Sequence, residues 1–376
     1  MSTPLATPRE GGVIRVLISP AAFRDSFSAL EVADAIELGV RQALPAADIV
    51  ALPISDGGPE LLGVLGRVLG GRTERLEVTG PVGAPVEARI LWFDDATAVV
   101  ASADACGLHL VPPGERNPCL TDSRGVGELV LHAAGAGAVS IIVGLGGSGT
   151  VDGGSGMARA LGFSFLDAAG EVVAAGGCSL AGLARIVGPA ETWLAPDIVA
   201  LADVASPLLG PDGAARRFGP QKGATGEQVG LLEAGLERLA ERMALDLGPH
   251  GADLADIPNL AGAGAAGGLG AGLAAFAGAS LVPGARWVLD RIGFFSKVAS
   301  ADLVITGEGS WDEGSLLGKG PATVIAAATR AERPVWLVAG RVKGEVPRGV
   351  RVIGGHGARV SLADISLLAA QALLDR

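Results

Sequence analysis

Short apolar runs alternate with helical patterns at both ends of this chain, with few residues between them. Residues 13–18 read Val-Ile-Arg-Val-Leu-Ile, rich in β-branched side chains and bounded by Gly12 and Pro20, which is how a buried strand reads. Ser28 precedes ALEVADAIELGVRQAL, with Glu31 three residues on and Pro45 past its end. That is a capping box opening an amphipathic helix. A second strand over 49–54 runs into Ser55-Asp56-Gly57-Gly58, and a helix follows near 60–69. Strand, helix, strand, helix with short connections predicts a parallel sheet. The C-terminal end repeats the order: a strand at 302–306, a loop GEGSWDEGSLLGKG, a helix at 322–331, strands at 335–339 and 350–354, and a helix near 362–374. The middle is Gly- and Pro-rich, with strands near 97–101, 140–144 and 198–202. A length of 376 residues favours two domains. The expected fold is therefore α/β: a discontinuous Rossmann- or flavodoxin-like domain (1–68 plus 288–376) with a second α/β domain (69–287) inserted into it.

Charge and composition narrow the partners. Lysine and arginine number 29 against 40 acids, a net −11, and the pI is about 4.9. No broad basic face is expected, so nucleic acid and anionic membranes are poor partners. Residues 257–285 carry no charge, but the run is mostly Ala and Gly with two prolines, which reads as a tightly packed buried helix rather than a membrane span. The first residues, MSTPLATPREGG, lack the apolar core of a secretory signal. Cys106, Cys119 and Cys178 are odd in number and widely spaced. That argues against a disulfide framework or a Cys-rich zinc site and fits a reducing cytoplasm. With no tyrosine and four histidines, a site leaning on either residue is not expected.

Glycine supplies 59 residues, in clusters, and clusters mean backbone brought close to something or turns with positive φ. Gly144-Leu-Gly146-Gly147-Ser148-Gly149 follows the strand SIIVG and matches G-x-G-x-x-G, with Asp167 beyond it. That is the dinucleotide fingerprint on paper. Val151-Asp152-Gly153-Gly154 follows at once, however, where a helix should begin. An anion-holding loop of backbone N–H groups is the favoured reading, with an NAD site and a plain turn as alternatives. A second cluster, Gly262–Gly272, is divided evenly between close helix packing and a ligand site. Two of only four lysines, Lys222 in Gly219-Pro-Gln221-Lys222-Gly223 and Lys319 in Gly318-Lys319-Gly320, sit beside glycines and suit phosphate oxygens. Thr306-Gly307-Glu308-Gly-Ser310-Trp-Asp312 ends a strand, where open α/β sheets bind ligands. The segment from Gly314 to Lys319 lacks a spacer and the Ser/Thr of a Walker A loop, so any phosphoryl transfer here is not of the P-loop kind.

Taken together, these segments resemble the type I bacterial glycerate kinase family. The resemblance runs through SALEVADAIELG, LPISDGG, Ala105-Cys-Gly-Leu108, Arg116-Asn-Pro118, VGLGGSGTVDGGSGMARALG, Pro207–Ala214, FGPQKGA, Gly262–Gly272 and LVITGEGSWDEGSLLGKG. It implies ATP-dependent phosphorylation of D-glycerate with Mg²⁺, 2-phosphoglycerate being the favoured product, in a cleft between two α/β domains. Departures from the family pattern fall at Ala21, Ala22, Arg24, Pro59, Ala101, Arg124, Val151 and Ser310. They lie inside motif loops, where each lost charge removes about 1.5–3 kcal/mol of contact. A changed acceptor or a non-catalytic paralogue that binds a nucleotide or small acid is therefore the competing expectation, ahead of an NAD-dependent oxidoreductase. The residues expected to act in catalysis are Asp152, Asp203, Lys222 and Glu308, with Asp203 and Glu308 as metal ligands. Those expected to bind substrate or nucleotide are Asp56, Gly57, Gly58, Gly146, Gly147, Ser148, Thr150, Gly153, Gln221, Gly307, Asp312 and Lys319.

Overall fold

The computed structural model describes residues 13–23, 26–190, 195–247, 254–316, 320–355, 357 and 360–375. It divides into two compact units. One comprises Met1–Asp56, Gly63–Leu69 and Ala285–Arg376; the other comprises Gly57–Leu62 and Gly70–Gly284.

In the first unit, five parallel strands lie in the order Val350–Gly354, Val335–Val342, Leu303–Trp311, Arg15–Ile18, Asp48–Ala51. The central pair joins the two ends of the chain: Val16 faces Leu303, and Arg15 N–H donates to the Asp302 carboxylate at 2.9 Å across 287 residues. Helix Ala29–Ala43 opens on the expected capping box, Ser28 with Glu31. It packs along helix Leu362–Leu374, close enough that a side chain at Gly39 would overlap the Ser366 carbonyl. Their buried faces and the strand residues Val16, Ile18, Leu303 and Ile305 form one apolar core.

One strand is longer than expected. The segment read as 302–306 followed by a loop is a continuous strand, Leu303–Trp311, paired with Val335–Val342 as far as Trp311 opposite Val342. Trp311 is the reason. Its ring is fully buried and its indole N–H donates to the Glu345 carbonyl at 2.9 Å, so the chain stays extended until that ring is seated. Gly307 and Glu308 are therefore strand residues.

The second unit carries a six-stranded sheet, ordered Ser280–Pro283, Asp197–Ala202, Ser140–Gly144, Thr97–Ala101, Pro85–Trp92, Arg72–Thr79, and a separate antiparallel pair, Ser164–Leu166 with Arg185–Val187. In the sheet the first four run parallel, and Pro85–Trp92 pairs antiparallel with both Thr97–Ala101 and Arg72–Thr79. The antiparallel hairpin Arg72–Thr79/Pro85–Trp92 and the short strand Ser280–Pro283 were not anticipated. The uncharged stretch holds the expected buried helix, Ala265–Ala277, and among the described residues no helix is long and apolar enough to cross a membrane.

The disulfide expectation is corrected. Cys119 and Cys178 are bonded, with Cα atoms 4.7 Å apart, while Cys106 is a free, buried thiol. Two glycines bring the distant segments together: a side chain at Gly176 would overlap the Cys119 carbonyl, and one at Gly177 the Val151 carbonyl.

Candidate active site

The glycine loop 145–154 leaves the C-terminal end of the central parallel strand Ser140–Gly144. Leu145 N–H donates to the Leu201 carbonyl and Gly146 N–H to the Gly57 carbonyl at 3.0 Å. A side chain at Gly146 would strike the Gly58 backbone. Gly57-Gly58 and Gly146 are thus neighbouring backbone segments, brought together because neither carries a side chain at the contact. Gly147 is exposed and Gly146 half-buried, while Ser148, Thr150 and Gly153 are buried.

Lys222 braces this loop from beneath. The residue is only 4% exposed, and its Nζ donates to Ser148 Oγ at 3.0 Å and to the Thr150 carbonyl at 2.8 Å. Burial pushes its pKa down to about 8, against the opposing pull of Cys106 and Asp152. A turn of 3-10 helix, Pro220–Lys222, carries it inward while the neighbouring Gln221 points to solvent. Cys106, in the same enclosed space, has its thiol pushed up to about 12 by burial first and by Asp152 second. It is not a nucleophile at neutral pH.

Asp152 has no exposed surface. Its carboxylate takes four hydrogen bonds: from Ser123 N–H and Oγ, from Gly154 N–H and from Gly156 N–H, at 2.7–3.2 Å. A carboxylate so enclosed orders the loop and the start of helix Ser155–Ala160 rather than meeting a substrate. Its neighbour Asp122 was missed by the sequence reading. Asp122 Oδ1 accepts from Arg124 N–H and occupies the space a side chain at Gly156 would need. Burial first, and the charge of Asp152 second, raise its pKa to about 6. Thr121 completes the brace by donating to the Gly149 carbonyl at 3.0 Å. The signal for these residues is three-dimensional. Thr121-Asp122-Ser123 reads as an ordinary polar turn until helix Ser155–Ala160 is placed against it.

The second glycine cluster packs against this loop. Side chains at Gly267, Gly268 and Gly272 would collide with the backbones of Thr150, Gly153 and Gly153-Gly154. Of its two readings, packing accounts for these glycines. The dinucleotide reading fares poorly: the helix starts only at Ser155, behind a left-handed Gly154, and Asp167 closes a turn by accepting from Ala169 and Glu171 N–H.

Asp203 follows strand Asp197–Ala202 and is half-buried. In the other unit, Asp56 and Glu308 are half-buried. Gly307 faces the Val338 backbone, and its carbonyl accepts from Ala21 N–H at 2.9 Å. Asp312 N–H donates to Ser315 Oγ. Lys319 and Arg24 lie outside the described residues. No group of three or more His, Cys, Asp or Glu among the described residues could hold a metal. Magnesium in phosphoryl transfer is typically held by one or two carboxylates together with substrate phosphates. The carboxylates of Asp56, Asp203 and Glu308 form no such group of three; they fit an ion carried in on a nucleotide better than one resident in the protein.

The chain's likenesses follow the same segments. The glycerate kinase family matches residues 16–361. A glycerate kinase of Haemophilus influenzae is 43% identical over 330 residues, covering 87% of this chain and 86% of the relative. A glycerate 2-kinase of Escherichia coli K12 is 40% identical over 351 residues, covering 92% and 88%. A solved structure designated glycerate kinase 2, from Salmonella typhimurium LT2, superposes with a TM-score of 0.80 at 40% identity, covering 97% of this chain and 98% of its own. With a family match over residues 16–361, which takes in the glycine loop, and relatives 40% or more identical over most of both chains, this chain belongs to the glycerate kinase family.

Proposed function

We infer that this chain transfers the terminal phosphoryl group of ATP, brought in with Mg²⁺, to D-glycerate, with the C2 hydroxyl as acceptor and a reducing cytoplasm as its setting. The observation that carries this reading is the glycine loop at a parallel strand end, braced from below by a buried ammonium group. Phosphoryl transfer asks the protein mainly for placement and charge neutralisation. Loop N–H groups around Gly146–Ser148 supply fixed dipoles for phosphate oxygens. The Lys222 ammonium adds positive charge behind them, while its hydrogen bonds to Ser148 and Thr150 keep the loop from relaxing. Asp152, through Ser123 and the amides of Gly154 and Gly156, holds the far end of the loop. Asp56, Asp203 and Glu308 are the carboxylates left to carry the nucleotide's ion or orient the attacking hydroxyl; Gly57, Gly58, Gly153, Gln221, Gly307, Asp312 and Lys319 complete the proposed substrate contacts.

The test is purified protein with ATP, Mg²⁺ and D-glycerate, following ADP release and assigning the product isomer by NMR. The expected result is ADP release matched by 2-phosphoglycerate. Release of 3-phosphoglycerate would overturn the choice of hydroxyl. Nucleotide binding with no turnover on glycerate or related hydroxy acids would defeat the activity and favour the non-catalytic paralogue, for which the replacements at Ala21, Ala22, Pro59, Ala101, Val151 and Ser310 speak.

A further inference from the structure

Three candidates stand outside the machinery above. The edge strand Arg72–Thr79 is charged but points to no one partner, and the buried Glu233 carboxylate is already engaged by Gly210 N–H and Arg216. The third is the bonded pair Cys119–Cys178, and it touches the glycine loop from two directions.

Cys119 opens the segment whose next residues hold that loop: Thr121 on the Gly149 carbonyl, and Ser123 on Asp152. On its other side, Asn117 Oδ1 accepts from Cys119 N–H and from the Gln228 amide. Cys178 belongs to the turn Gly177–Gly182, whose Gly177 lies against the Val151 carbonyl, in the loop itself. The bond therefore ties together two segments that grip residues 149–156. Cys119 is buried and Cys178 is half-buried, so Cys178 is the more open of the two to an incoming thiolate. Bonds of this kind are rare in reducing compartments and, where present, are usually transient, serving catalysis or redox sensing.

The geometry points to Cys119–Cys178 as a reversible thiol–disulfide modification site that tightens the glycine loop when oxidised and loosens it when reduced. In the reducing direction, one thiolate of a dithiol attacks Cys178 Sγ. The S–S bond breaks, and Cys119 leaves as a thiolate and takes up a proton. The second thiol of the dithiol then displaces Cys178, so the protein gains two hydrogens and the dithiol becomes a disulfide. Oxidation runs the same exchange backwards with a small disulfide as acceptor of the two electrons. The effect on turnover rests on the phosphotransferase reading; the effect on the loop does not.

The experiment uses the full chain treated with dithiothreitol or with oxidised glutathione. After denaturation, thiol titration is expected to find all three cysteines in the reduced form and only Cys106 in the oxidised form. Hydrogen exchange at the Ser123, Gly154 and Gly156 amides should be roughly tenfold faster after reduction, with C178S matching the reduced form. ATP-dependent phosphorylation of glycerate should fall by a similar factor. Persistence of three thiols after oxidised glutathione, or identical exchange in both redox forms of the wild-type chain, overturns the proposal. If C178S fails to fold, the wild-type comparison still decides. If exchange responds to redox state while neither form phosphorylates glycerate, the site stands and the activity reading falls.

Discussion

Asp122 and Asp152 share one buried corner but not the same provision of donors. Asp152 has four hydrogen bonds; Asp122 has a pKa raised to about 6. The folded protein therefore holds a proton on Asp122 that the unfolded chain, titrating near 3.8, has lost. Stability should fall as pH rises from about 4 to about 6, and the penalty is complete above that. Denaturant midpoints across this range should show that slope, and D122N should flatten it. Lys222 works in the opposite window. The folded chain sheds its proton near pH 8 and the unfolded chain near 10.5, so stability should rise with pH between those values, and K222M should abolish the rise. K222M should also lower kcat for phosphorylation by roughly a hundredfold or more, on the scale of losing one preorganised donor, in a steady-state assay. Lys222 is legible in the sequence because lysine is scarce and this one sits between glycines. Asp122 is not, because its burial is made by a helix that starts thirty-odd residues later.

Helix Ala265–Ala277 begins with three consecutive left-handed residues, Ala266, Gly267 and Gly268, at φ 53°, 71° and 90°. Alanine in that region carries strain of order 1–3 kcal/mol. The turn is held by its contact with the Thr150–Gly154 backbone. G267A combines an unfavourable φ with overlap on the Thr150 carbonyl, so thermal denaturation should show a loss of roughly 1–3 kcal/mol or more, with weakened nucleotide binding through the displaced loop. Elements with a capping box or an apolar run bounded by glycine or proline are legible at this scale: Ala29–Ala43, Thr97–Ala101, Ser140–Gly144, Val350–Gly354 and Leu362–Leu374 all fall where periodicity places them. The hairpin Arg72–Thr79/Pro85–Trp92 is harder to see. Its outer strand is largely charged and exposed, so it lacks the apolar run that marks a buried strand. Trp311 shows the other difficulty: a single buried ring extends a strand through glycines that locally read as loop.

At the scale of the molecule, α/β alternation at both chain ends reveals the parallel sheet, and the sheet draws strands from residues 15–51 and 303–354. The disulfide has no such trace. A separation of 59 residues carries no signal when closure depends on glycines at 176 and 177. The long-range pairing of Arg15–Ile18 with Leu303–Trp311 also sets a schedule for biosynthesis. At roughly 5–20 residues per second, a ribosome needs on the order of 15–60 s to deliver the second strand after the first has emerged. Throughout that interval the nascent amino-terminal strand can pair only with Asp48–Ala51, leaving its other edge bare. Premature termination anywhere before residue 303 would release a polypeptide with that edge still unpaired, a substrate for chaperones and proteases rather than a smaller enzyme.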